Sequence, residues 1–261
     1  MENLEFCKIR EPLIFDTHSH YDDSKFDGIR DELLTALKDY GVCGIITCGC
    51  DLQSSKKALD LAHRFDYVYA AVGIHPSEIS KPFTLKEIEQ LAKDEKCIAI
   101  GEVGLDYYWE KENREEQIKI FEEMIFLSKK LNLPIIVHDR DSHADTLEIL
   151  KKHKPKGVVH CFSGSVEMAE EILKLGMYIG IGGVATFKNA KKMPDVIKSI
   201  PLDKILLETD CPYLAPEPLR GKLCHSAMIG FTAEKVAELK EIDTLKLLNE
   251  TRKNTKNLFG V

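Results

Sequence analysis

Leu13-Ile14-Phe15-Asp16-Thr17-His18-Ser19-His20 is an apolar run that stops on metal-competent side chains. Leu13-Ile14-Phe15 reads as a buried β-strand. On extended backbone the side chains alternate faces, so His18 and His20 point one way with Asp16 a step below. Two imidazoles on one side of a strand end make half of a metal site. A histidine pair by itself is more often a surface feature or a satisfied core pair, so the residues further along the chain decide its meaning.

The same build recurs. Gly44-Ile45-Ile46-Thr47-Cys48 is a second strand, and a third over 68–74 ends at His75-Pro76. Cys97-Ile98-Ala99-Ile100-Gly101 ends at Glu102, Ile135-Ile136-Val137 at His138, and Gly157-Val158-Val159 at His160. Tyr178-Ile179-Gly180-Ile181-Gly182 is a seventh strand, and Lys204-Ile205-Leu206-Leu207 opens an eighth that ends at Asp210. Between them lie amphipathic helical patterns: 27–40 with Gly41 as its stop, 54–65, and one opened by the capping box Thr84-Leu85-Lys86-Glu87. Others span 112–131 (Ile118, Phe121, Ile125 and Phe126 on its buried side), 144–152, 165–175, about 227–240 and 243–258.

Strands alternating with helices imply a parallel α/β fold. Eight such strands in 261 residues imply a single (β/α)8 TIM barrel spanning 1–261, in preference to a doubly wound open sheet. No Pro/Ser-rich linker, low-complexity tract or 20–50-residue repeat interrupts the series.

Composition narrows the function. The longest apolar runs are strand-sized, so no membrane helix is expected. The N-terminus, MENLEFCKIREP, lacks the basic-then-apolar plan of a secretory signal. Eight cysteines with no C-x-x-C pair, several inside apolar runs, suit free thiols in a reducing compartment, the cytoplasm or nucleus. A net charge of −7 argues against a protein that coats nucleic acid nonspecifically. It leaves open an enzyme that engages phosphates at one local site.

In a closed barrel the C-terminal strand ends converge on one face, where this fold builds its active sites. His18, His20, Glu102, His138, His160 and Asp210 all sit at such ends. Four histidines and two carboxylates exceed the three or four protein ligands of one tetrahedral zinc. They fit two metals bridged by a carboxylate, with hydrolysis as the reaction class. Imidazole-rich sites suit zinc, manganese, iron or cobalt better than magnesium.

FDTHSHYDD (15–23), GIHPSE (73–78), GEVGLDYYW (101–109), IVHDRD (136–141), HCFSGS (160–165), YIGIGG (178–183) and LLETDCPYLAP (206–216) follow one another in this chain. In that order they resemble the TatD family, metal-dependent deoxyribonucleases of the amidohydrolase superfamily, from about residue 13 to Asn257-Leu258-Phe259. The resemblance implies one divalent cation (zinc, manganese or magnesium) on His18, His20, Glu102 and Asp210. A second would lie on His138 and His160, with Glu102 bridging. It implies Asp210 as the group that orients and deprotonates the attacking water. Its substrate would be DNA, as single strands or 3′ ends, cut in the 3′→5′ direction, with no membrane and no obligate protein partner. One departure stands out: family members commonly continue APxPxRGKRNEP, whereas this chain reads APEPLRGKLCHSAM, a change over Arg220 to Met228 that bears on substrate. The alternatives are an ester or amide hydrolase, such as a D-aminoacyl-tRNA deacylase, and an inactive metal-binding scaffold. Superfamily members acting on cyclic amides often use a carbamylated lysine where this chain has Glu102, which favours phosphoester chemistry.

Weaker candidates surround the six. His75 should face the same bowl, and Arg140 is placed to clamp a phosphate. Lys188, Lys191, Lys192, Arg220 and Lys222 should give the rim local basic character. Tyr107, Tyr108 and Trp109 are candidates to stack on unpaired bases. His225 is a candidate to enter the site from the altered loop, whereas His63, His143 and His153 should lie on helix surfaces.

Overall fold

The computed structural model describes residues 7–109 and 111–261. The segment through Phe6, part of the stretch read for a leader, lies outside the described residues. Strands β1 (Ile14–Ser19), β2 (Val42–Cys48), β3 (Val68–Val72), β4 (Cys97–Asp106), β5 (Ile135–Arg140), β6 (Gly157–Val159), β7 (Tyr178–Ile181) and β8 (Ile205–Leu207) pair in sequence order. Every pairing is parallel. The ring is drawn together between β1 and the chain just past β8. Thr17 Oγ1 donates to the Leu207 carbonyl at 3.1 Å, Asp210 N to His18 O at 3.0 Å, and His20 N to Cys211 O at 2.7 Å. The result is a nearly closed eight-stranded barrel.

Helices α1 (Arg30–Ala36), α2 (Leu52–Arg64), α3 (Leu85–Leu91), α4 (Arg114–Leu131), α5 (His143–His153), α6 (Val166–Lys174), α7 (Met193–Ser199), α8 (Ile229–Lys240) and α9 (Thr244–Phe259) cover the outside. The capping box at Thr84 forms as expected, its hydroxyl accepting from Glu87 N while the Glu87 carboxylate accepts from Thr84 N. Along β2 successive residues part company. Ile45 joins the larger core between strands and helices, while Ile46 and Cys48 join a smaller one with Phe15, Ala71, Ile136, Val158 and Leu206. That division is the two-residue period of a strand buried on both faces. All eight cysteines are free thiols. Among the described residues no helix is long and apolar enough to cross a membrane.

Four expectations need correction. The 27–40 pattern is α1 followed by a 3-10 turn, Leu37–Tyr40, which Gly41 ends at φ 77°. A helix, α7, follows the seventh strand with Pro194 in its first turn, where the missing N–H costs nothing. Phe126 is 57% exposed, because it lies about 140° around the helix from the buried Phe121. His153 is buried rather than superficial, its Nε2 2.8 Å from Glu122 Oε1.

β4 runs four residues beyond Glu102, to Asp106. The alternation continues: Val103 and Leu105 pack into the core while Glu102 and Asp106 turn to the other face. Gly104 permits this. Its φ is 147°, and a Cβ there would lie 2.0 Å from the His138 carbonyl oxygen. Only glycine lets β4 run that close to β5 at the position of His138.

Candidate metal centre

The strand ends open into a cavity of about 920 Å³ whose walls include His20, His75, Glu102, His138, His160 and Asp210. His18 lies fully buried, its ring stacked on His160 with centroids 3.8 Å apart. The structure therefore brings together all six residues singled out at strand ends.

Glu102 is the pivot. Its Oε2 sits 3.3 Å from His18 Nε2 and 3.4 Å from His20 Nε2. Those two nitrogens are 3.1 Å apart, and Asp210 Oδ1 lies 3.6 and 3.3 Å from them. Ligand atoms around one tetrahedral ion at about 2.1 Å lie roughly 3.4 Å from each other. Five of the six edges of such a shell are present in these distances. The other oxygen, Oε1, faces a different pair: His138 Nδ1 at 2.8 Å and His160 Nε2 at 2.6 Å, themselves 3.3 Å apart. His75 Nε2 stands 3.7 Å from the same oxygen, so His75 does face the bowl. This donor set fits divalent cations.

The supports of the ring nitrogens fix which atoms face inward. His20 Nδ1 is 2.9 Å from the Cys48 carbonyl, which calls for an N–H there and leaves the Nε2 lone pair free. His138 uses the opposite nitrogen: its Nε2 is 3.1 Å from Asp106 Oδ2, so Nδ1 points to Glu102. Behind His160, Glu208 Oε1 lies 3.7 Å from Nδ1 and accepts from Cys161 N. Gly180 makes that possible, since a Cβ there would lie 2.4 Å from Glu208 Oε2. The sequence reading leaves out Asp106 and Glu208. Both carry a strand signal, Asp106 four residues after Glu102 and Glu208 two before Asp210, each on the alternating face.

Burial alone would raise both carboxyl pKa values. For Glu102 the fields of His160, His18 and His75 and the hydrogen bond with His138 outweigh it and hold the group well below its usual range. For Asp210 a hydrogen bond with His20 and the neighbouring imidazoles do the same. Asp210 takes a left-handed backbone, φ 62°, held by its bond to His18 O and by Tyr213 N donating to its own carbonyl at 3.1 Å. Asp16, a step below the histidines, belongs to a different network: it accepts from Thr209 Oγ1 at 2.6 Å and Ser226 Oγ at 2.7 Å.

The remaining candidates divide. Arg140 and Trp109 line the cavity, as do Cys50 and Cys161, two thiols the sequence did not mark. Lys188, Lys191, Lys192, Arg220 and Lys222 are not among the residues of its wall, and Arg220 stacks instead on the Phe187 ring at 4.3 Å. His225 is fully buried and also absent from the wall. Ser226 N and Oγ both bond to Tyr21 Oη, which draws this segment under β1 and away from the bowl. His63 is paired with Asp94 on the surface, and His143 Nδ1 lies 2.7 Å from Asp139 Oδ2.

Imidazoles and carboxylates gathered at the C-terminal mouth of a parallel barrel define a class, the metal-dependent hydrolase. Within that class the chain belongs to the TatD family, whose model, described as TatD related DNase, matches residues 15–260. YabD of Bacillus subtilis, named an uncharacterized metal-dependent hydrolase, is 40% identical over 254 residues, covering 95% of this chain and 100% of YabD. A protein named 3′-5′ ssDNA/RNA exonuclease TatD, from Escherichia fergusonii, is 31% identical over 258 residues, 95% of this chain and 99% of that one. The crystal structure of YjjV, a TatD homologue from Escherichia coli K12, superposes with a TM-score of 0.90 at 32% identity, covering 95% of this chain and 98% of YjjV.

Proposed function

We propose that this chain is a two-metal phosphodiesterase that cleaves DNA from single-stranded or 3′ ends. The observation that carries this reading is the division of Glu102, one oxygen toward His18 and His20, which Asp210 also faces, and the other toward His138 and His160. On that division one cation would be held by His18, His20, Glu102 and Asp210, and the other by Glu102, His138 and His160. Such a pair supplies Lewis acidity, which acidifies water and offsets charge on the phosphoryl oxygens. Asp210 accepts the proton of the attacking water at its carboxylate, which the neighbouring imidazoles keep ionised against the opposing effect of burial. His138, oriented by Asp106, and His160, with Glu208 behind it, present Nδ1 and Nε2 respectively to the Glu102 oxygen and would offer those nitrogens as ligands. The family description and the exonuclease name of the Escherichia fergusonii relative support DNA as the substrate.

Stripping the protein with a chelator should abolish cleavage of a single-stranded oligonucleotide, and added manganese should restore it. Assays with a mischarged aminoacyl-tRNA and a simple carboxylic ester run beside it under the same conditions. Turnover of either of those without any cut DNA would overturn the phosphodiesterase reading.

A further inference from the structure

Trp109 is the chain's single tryptophan, and it stands 67% exposed where the cavity opens, next to Tyr108 at 49%. The two rings cross edge to face with centroids 4.7 Å apart. Their position is fixed rather than incidental. The amides of Tyr108 and Trp109 both donate to Asp106 Oδ1, at 2.9 and 3.0 Å. The other oxygen of that carboxylate is the one that holds His138 Nε2. One side chain thus sets the aromatic pair in register with the metal centre.

A cation completes the surface. The Arg140 guanidinium, at the end of β5, lies 4.2 Å over the Tyr108 ring and 5.5 Å from the Trp109 ring centroid. Among the described residues only Arg140 and Lys81 bring a lysine or arginine charge to the wall. Lys81 is spent on Asp51, at 2.6 Å, and on Glu78. Among the described residues Arg140 has no carboxylate partner, so its charge is available. The loops after β1, β2 and β3 carry Asp22, Asp23, Asp51 and Glu78 into the same wall. On the β4–β5 side the wall carboxylates Asp106 and Asp139 are taken up by His138 and by Ser142 and His143, so Arg140 is the charge that a phosphate meets there.

We infer that Tyr108, Trp109 and Arg140 form a docking platform for the end of a single nucleic acid strand. An unpaired base stacks on the Trp109 indole, and Arg140 binds the phosphate attached to it. The strand then enters the metal centre from the β4–β5 side. Base faces are open to such stacking only in a single strand, so the platform selects frayed or unpaired ends over intact duplex. The inference rests on the phosphodiesterase reading and refines its substrate.

Because Trp109 is the single tryptophan, its fluorescence reports this one place. The full-length chain, kept in chelator so that nothing is cut, is titrated with a short oligothymidylate. The expected result is saturable quenching, absent with an abasic strand of equal length, and an affinity roughly tenfold weaker in Arg140→Met. Arg140 is exposed, so this variant should keep the fold. Equal quenching by the abasic strand would overturn the platform. Cleavage of the oligonucleotide by the manganese-loaded chain with no quenching would also overturn it, and would leave the nuclease reading standing. Quenching without cleavage by the loaded chain would do the reverse.

Discussion

Glu102→Ala should lose both cations and more than about a thousandfold in turnover, since positioning and charge stabilisation fail together. Five imidazoles converge on this one carboxylate, His18 and His20 at one oxygen and His138, His160 and the more distant His75 at the other. The nearby Asp106 is not free to substitute, because it is spent on His138 Nε2 and the Tyr108 and Trp109 amides. Thermal unfolding separates metal loss from misfolding. A ligand present at about a hundred times its dissociation constant stabilises the native state by about 2.7 kcal/mol. Wild-type protein should show that gain on adding manganese, and the stripped variant should unfold cooperatively but show no such gain. Near-normal turnover by Glu102→Ala would be incompatible with a bridged pair.

Asp210→Asn should behave differently. The amide oxygen still faces His18 and His20, so manganese affinity should fall far less than in Glu102→Ala. The amide cannot accept the proton of water, and kcat should drop about 10²–10⁴-fold, the usual contribution of a general base. Metal content by elemental analysis and kcat on a single-stranded oligonucleotide, measured on one preparation, check this. Normal kcat with normal metal would remove Asp210 from proton transfer.

Much of this site is legible in the primary structure because strand periodicity is strict. His18 and His20 fall on one face two residues apart, and their Nε2 atoms meet at 3.1 Å. The parallel barrel does the rest, carrying Glu102, His138, His160 and Asp210 to the same end from strands spread along the chain. What stays hidden depends on long-range partners. Asp16 shares the face of His18, yet Thr209 and Ser226, 193 and 210 residues away, claim its oxygens. His225 looks accessible in its loop until the bonds of Ser226 with Tyr21 bury it. The lysines after β7 look like a phosphate-binding rim, but the wall takes its only unpaired lysine or arginine charge, among the described residues, from Arg140. A polar residue after an apolar run is also an uncertain stop. Glu102 reads as the end of β4, although the alternation through Gly104 to Asp106 continues the strand and supplies the partner of His138.

The most direct measurement is an anomalous difference map from a crystal of this chain grown with manganese. Two peaks are expected, about 3.5–4 Å apart as in other two-metal sites. The Glu102 carboxylate should lie between them, one peak near His18, His20 and Asp210 and the other near His138 and His160. A single peak, or two peaks with Glu102 touching only one, would contradict the bridged centre.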